Sequence, residues 1–201
     1  MLSILDDFET MELFRQGLTE NITNFKGETN QKLLTELNPI SITDLCNIYS
    51  LNREIAKDNL SKYIANKSNQ KNIKYIHPIL KNLSKETFGV ILYNEQIMHI
   101  IQNVANISSI ESNLIRKALG KKSTEELKLY FEKFKNGALK NTSFLNECIE
   151  IQKDKNVCIN EIWNLIGEKI FETISFAFVL QEVSKSYFEA LEISRNKKTI
   201  R

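Results

Sequence analysis

Apolar residues recur at spacings of three and four along most of this chain, and few windows alternate at period two. That pattern lines one face of successive helices, so the chain is expected to be mainly α. Asp6 and Glu9 have capping-box spacing for a helix through about Gln16, with Gly17 as its stop. Leu33, Leu34 and Leu37 predict a short amphipathic helix that ends before Pro39, because the residue before a proline avoids the helical region. Ser41 opens a helix carrying Ile42, Leu45 and Ile48, and Leu60, Tyr63 and Ile64 mark the next. The polar run from Ala65 to Lys74 is the best candidate for a loop or subdomain break.

After Pro78 the pattern tightens. Ile91, Leu92, Ile97, Ile100, Ile101 and Val104 predict a helix of roughly 15 residues. Ser108 and Glu111 form a second capping box, before a short helix ending at Gly120. Ser123 and Glu126 form a third, before Leu127, Tyr130, Phe131 and Phe134. Residues 160–193 predict one long or broken helix, with Trp163, Ile166, Ile170, Ile174, Phe178 and Leu180 on its core face and Gly167 as the candidate break. The expected organisation is an N-terminal helical part over 1–66, a polar loop over 67–74, a second helical part over 75–194 and a basic tail over 195–201.

Composition narrows the class. The 201 residues are 42% hydrophobic and 26% charged, which suits one domain or two small helical subdomains and excludes a disordered chain. No run of about 18 apolar residues exists to cross a membrane. The N-terminal Met1 to Asp7 lacks the basic region of a secretory signal. Cys46, Cys148 and Cys158 sit in no CxxC, against a disulfide framework or zinc ribbon and in favour of a reducing cytoplasm. With two histidines, a His-built metal or catalytic cluster has little material. His99 is expected to be packed or on the surface, His77 to be a turn residue before Pro78, and Cys46 to be buried. No GxGxxG, P-loop, HExxH or GxSxG occurs. A helix N-terminus accounts for the adjacent pair Asp6-Asp7.

The net charge of +2 decides little, but its distribution is uneven. Residues 112–140 carry eight cations (Arg116, Lys117, Lys121, Lys122, Lys128, Lys133, Lys135, Lys140) against Glu125, Glu126 and Glu132. Within them, Leu114 to Lys122 places two cations at a helix end and two beyond a glycine that lets the backbone turn tightly. Two readings stand side by side. The four cations converge on phosphates, or they decorate a helix C-terminus whose dipole favours them.

The run Thr87-Phe88-Gly89-Val90-Ile91-Leu92-Tyr93-Asn94-Glu95-Gln96-Ile97-Met98 resembles the "TYGVxxYQEQVM" block of bacterial replicative DNA polymerases. About twenty residues on, Leu114 to Lys122 resembles that family's "LLRRAMGKK", with Ala105-Asn106 near its "LAG". Tyr75 to Pro78 resembles the segment before the first block. Glu125-Glu126 and Phe134 to Ala138 resemble the downstream "EEM…F..GA". More weakly, Asp7 to Gly17 is similar to "D..T..LF..G" and Leu37 to Leu45 to "L.P..FEDL". Arg53 falls at the arginine of "YRPGP", and Trp163 at "IW..I". The resemblance is to the fingers region of the α subunit of bacterial DNA polymerase III, in the C-family.

It implies an irregular multi-helix domain, connected with DNA replication, from a family of DNA-directed DNA polymerases, which are nucleotidyltransferases. DNA primer–template and a dNTP are the implied ligands, with Arg116, Lys117, Lys121 and Lys122 facing phosphates and Arg53 and Lys67 as weaker candidates. The family's Mg2+-binding palm aspartates precede the matched blocks and have no counterpart here. The chain is therefore expected to hold no catalytic residue or metal by itself and not to polymerise alone, with a palm-bearing polymerase chain as possible partner and no membrane. The location expected is cytoplasmic.

Several polar positions depart from the pattern. "YRPGP" stands as Asn52-Arg53-Glu54-Ile55-Ala56, "GVFQxES" as Asn21 to Gly27, and "FNKSH" as Phe171 to Ser175. Lys117 replaces an arginine, which weakens bidentate phosphate contact. Two alternatives follow: a catalytically dead helical protein-interaction module derived from the polymerase, marked by an exposed apolar patch and salt-insensitive binding, or a decayed relative with no present role.

Overall fold

The computed structural model describes residues 7–53, 57–121, 124–151, 154–169 and 172–199. Among them are the helices α1 (Phe8–Arg15), α2 (Glu28–Leu37), α3 (Ile42–Leu51), α4 (Lys57–Ser68), α5 (Pro78–Ser84) and α6 (Asn94–Ala105). There follow α7 (Ser109–Lys121), α8 (Thr124–Lys140), α9 (Thr142–Glu150), α10 (Lys155–Lys169) and α11 (Phe176–Thr199). Two short 3-10 turns, Gln70–Asn72 and Lys85–Thr87, complete an all-helical set among the described residues. The mainly-α expectation holds.

The helices form two compact units. One comprises Met1–Ile64 and Ile174–Arg201, the other Ala65–Thr173. The division differs from the expected 75–194 block, because α11 packs on α1 and α3. Its buried stripe is Val179, Val183, Tyr187, Ala190 and Leu191, one register away from the predicted face, and Phe178 is exposed. The break before α11 lies between Lys169 and Phe176, not at Gly167, which sits inside α10. A glycine inside a helix costs only about 1 kcal/mol and does not by itself end one. The stretch from Ala65 to Lys74 is not one loop either: α4 continues to Ser68, as its lack of Pro and Gly permits, and a 3-10 turn follows. Residues 195–199, expected to belong to a tail, are the last turn of α11.

In the first unit, α1 is capped by Asp7, whose Oδ2 accepts from the Thr10 amide at 2.9 Å. Asp6, the predicted cap, lies outside the described residues. Gly17 ends this helix with φ +67°, in the left-handed region that glycine tolerates. α2 stops at Asn38, itself left-handed at φ 46° before Pro39. Ser41 Oγ caps α3 by accepting from the Asp44 amide at 3.2 Å. Phe14 and Phe25 meet edge to face at 5.2 Å between centroids, and Tyr187 stacks on Phe14 at 6.3 Å. The Tyr187 hydroxyl accepts from the Asp7 amide at 2.7 Å, which ties α11 to the start of α1.

The second unit is built around α6, whose Ile97, Ile100, Ile101 and Val104 are fully buried. α7 packs on it through Ile115 and Leu119, and α8 through Phe134 and Ala138. α10 adds Cys158, Ile159, Ile162 and Ile166 to the same core. Trp163 lies 5.4 and 5.2 Å from the rings of Phe131 and Phe134, as expected of a core-face residue. α6 is shorter than the periodicity predicts. Phe88 and Gly89 turn at φ +50° and +78°, and Val90, Ile91 and Leu92 are buried but outside the helix. All three cysteines are buried and in no disulfide, and burial pushes the thiols of Cys46 and Cys148 up to about 12.

Candidate functional site

The Thr87 to Met98 run is organised by one buried side chain, Gln96. Its Oε1 accepts from the amides of Leu92 at 2.8 Å and Tyr93 at 3.0 Å. Its Nε2 donates to the Leu83 carbonyl at 3.1 Å and to Thr87 Oγ1 at 2.9 Å. Thr87 Oγ1 donates to the Val90 carbonyl at 2.6 Å. One amide thus satisfies the N-cap amide of α6 and the Leu92 amide just before it, and ties both to Leu83 and Thr87. The motif is therefore framework. Gly89 belongs to it for space: a Cβ there would lie 2.8 Å from Ile73 Cγ2.

The same unit holds a second polar joint. Asn141 caps α9 by accepting from the Phe144 amide at 3.2 Å, and its Nδ2 donates to the carbonyls of Asn103 and Val104 at 2.7 and 3.0 Å. His77, expected to be a turn residue, is the fully buried N-cap of α5. Its Nδ1 accepts from the Ile79 amide at 3.2 Å and lies 3.6 Å from Glu147 Oε2. Burial lowers its pKa, opposed by the Phe144 carbonyl and by Glu147. His99 is exposed on α6.

Outward chemistry gathers on α7. Ser108 Oγ accepts from the Glu111 amide at 3.3 Å, as its capping spacing predicts. Ser112, Ile115, Ala118 and Leu119 face inward. Residues 113, 116, 117, 120 and 121 follow the i, i+3, i+4, i+7, i+8 rule and share one outward stripe. Arg116, Lys117 and Lys121 are thereby brought onto one helix face, with Lys117 and Lys121 exposed and Arg116 half-buried. Gly120 makes no tight turn. It is an ordinary helical residue in the last turn of α7, and a Cβ there would meet nothing within 4 Å.

Arg116 is held. Asn113 Oδ1 accepts from its Nε at 3.1 Å and its Nη2 at 3.0 Å. Sequence reading passed over Asn113, although its place three residues before an arginine on a helix was the available signal. Beside the stripe, Lys133 of α8 pairs with Glu111, which takes one predicted cation out of the free set. Lys122 and the predicted cap Ser123 lie outside the described residues, as do Ile170 and Phe171. Lys67, in the last turn of α4, has Nζ 5.9 Å from the Phe88 ring centroid. Lys67 lies on α4 and Arg53 just beyond α3, so neither is part of α7 itself.

The fold and this face define a helical domain with a framework motif inside and a cationic helix face outside. The sequence profile described as "Bacterial DNA polymerase III alpha subunit finger domain" matches residues 3–142. The DNA polymerase III subunit alpha of Chlamydia trachomatis is 35% identical over 137 residues, 68% of this chain and 11% of that protein. That of Caulobacter vibrioides is 35% identical over 133 residues, 66% of this chain and 12% of the relative. That of Borreliella burgdorferi is 32% identical over 134 residues, 67% and 12% respectively. The chain belongs to the DNA polymerase III alpha subunit finger domain family. It spans about a tenth of the length of these relatives. No helix among the described residues is long and apolar enough to cross a membrane.

Proposed function

We propose that this chain acts as a finger domain that meets the phosphates of a DNA primer–template or a deoxynucleoside triphosphate through the outward stripe of α7. The observation that carries the reading is the shared helix face of Arg116, Lys117 and Lys121. Cations one turn apart on a rigid helix follow a phosphate backbone, and the arginine adds a planar fork for two oxygens of one phosphate. The competing dipole account covers cations at a helix end, but it gives no reason for one of them to be oriented by a neighbouring amide.

In this reading the chain works in DNA replication and does not polymerise by itself. The divalent ions of phosphoryl transfer would be held by the palm aspartates of a partner polymerase chain, and the finger stripe would orient phosphates toward them. The expected compartment is the cytoplasm, where a replication partner is found.

The test is binding of a fluorescent primer–template at 50 and 200 mM salt by wild type and by a variant with Arg116, Lys117, Lys121 and Lys122 changed to Ala. Three phosphate contacts predict about a 40-fold loss of affinity between the two salts for wild type. The variant is expected to lose both the binding and its salt dependence. No wild-type binding at low salt, from protein shown to be folded, would overturn the reading.

A second reading, a protein-interaction module, is favoured by one observation. Ile110 and Leu114, one turn apart on α7, are 80% and 48% exposed. That reading predicts capture of a protein partner that is insensitive to salt and to the four-alanine change.

A further inference from the structure

The grip on Arg116 has a functional consequence that rests on the phosphate reading above. Arginine carries five N–H donors. Asn113 engages two of them, one on Nε and one on Nη2. Both Nη1 donors and the second Nη2 donor remain, and these form the end-on fork that fits two oxygens of one phosphate. The acceptor is an amide oxygen, so the guanidinium keeps its full charge. A carboxylate in its place would hold the same edge and cancel that charge. The long side chain otherwise loses much rotamer freedom on binding, and ordering it in advance lowers that cost.

We propose that Asn113 is a positioning residue: it orients Arg116 in the free protein so that the Nη1 and Nη2 edge is presented to an incoming phosphate. Asn113 itself touches no ligand in this scheme. The amide fixes an orientation and the arginine makes the contact.

Two measurements test it. The first is the Arg116 Nε–H signal in proton–nitrogen NMR of the full chain, assigned by its loss in Arg116→Lys. A held Nε–H exchanges slowly with water, and Asn113→Ala is expected to broaden or remove the signal. The second is primer–template binding by wild type, Asn113→Ala, Arg116→Ala, the double variant and Asn113→Asp at 50 and 200 mM salt. Asn113→Ala is expected to weaken binding about three- to tenfold with the salt slope unchanged, since no charge is lost. In the Arg116→Ala background the same change is expected to have no effect. Asn113→Asp is expected to retain the NMR signal yet lower the salt slope by about one contact. Alanine is the better helix former, so lost binding would not reflect a lost helix.

Arg116→Ala weakened but Asn113→Ala equal to wild type would overturn the positioning role alone. An equal effect of Asn113→Ala with and without Arg116 would also overturn it, because the amide would then act elsewhere. Wild-type binding that is absent, or indifferent to Arg116→Ala, would overturn the phosphate reading and the inference with it.

Discussion

Gly137 of α8 lies so close to the carbonyl oxygen of Ala105 that a Cβ on the glycine would collide with it. The second closest atom to that Cβ would be the carbonyl carbon of the same residue, at 3.0 Å. Ala105 is the last residue of α6, so the contact is the point where α8 crosses the end of the central helix. The obstacle is backbone, which cannot rotate aside as a side chain would. The Gly-Ala pair of the family's downstream block therefore has a packing cause here: Gly137 permits the approach and Ala138, fully buried, fills it.

Gly137→Ala is accordingly expected to destabilise the chain by about 1–3 kcal/mol despite alanine's better helix propensity, as overpacking against a fixed neighbour does. Urea unfolding of wild type and variant measures it. An unchanged or raised midpoint would mean that α8 does not cross α6 this closely.

Gln96 is the second structural test. Gln96→Leu keeps the volume roughly but strands the Leu92 and Tyr93 amides and the Leu83 carbonyl, all near a buried segment. Each stranded group costs about 1–3 kcal/mol, partly relieved by water or local movement. The expected loss is about 3 kcal/mol, with faster amide exchange confined at first to residues 90–96. A variant as stable as wild type would show that the network is not what holds the start of α6.

His77 gives the chain a predictable response to acid. Burial lowers its folded pKa below the ordinary 6.5, so the unfolded chain binds this proton more readily. The stability contribution is complete above the unfolded pKa and falls as pH drops below it toward the folded value. The slope from one such group is at most about 1.4 kcal/mol per pH unit. Protonation would also take Nδ1 from the Ile79 amide, while the nearby Glu147 carboxylate offsets part of the cost. His77→Asn can still cap α5. Denaturant midpoints at pH 7.5, 6.5 and 5.5 should fall for wild type and stay nearly flat for His77→Asn. Parallel curves would exclude His77 as the source.

The local signals that were legible from the sequence are those a short segment decides for itself. Ser41 caps, Gly17 stops and Pro39 terminates as their chemistry dictates, and Leu33, Leu34 and Leu37 fall on one buried face. The motif blocks also fixed where outward cations lie on α7. Other features depended on partners distant in sequence. Periodicity shows that residues near 180 are helical, but the choice between adjacent registers rests on the packing of α11 against α1 and α3, with Val179 and Val183 buried and Phe178 exposed. Gln96 appears in a motif as one polar letter, and its role depends on four groups spread over residues 83–93.

Gly120 separates the two pictures of the basic block. If the glycine served as a tight turn that brings Lys121 around toward Arg116, a side chain there would disturb the site. In the structure α7 runs through Gly120 to Lys121 with open space at the missing Cβ, and the cations are aligned by helix periodicity instead. Gly120→Ala should then stabilise the chain by about 0.5–1 kcal/mol, since alanine removes backbone freedom from the unfolded state. It should leave primer–template affinity unchanged or slightly improved, because a firmer last turn holds Lys121 on the stripe. Thermal unfolding and the two-salt binding assay on the same preparation read both effects. Higher stability with intact binding supports side-chain contacts from a continuous helix. Higher stability with binding lost would mean that phosphate approaches the backbone at Gly120 itself, where a methyl group keeps it away.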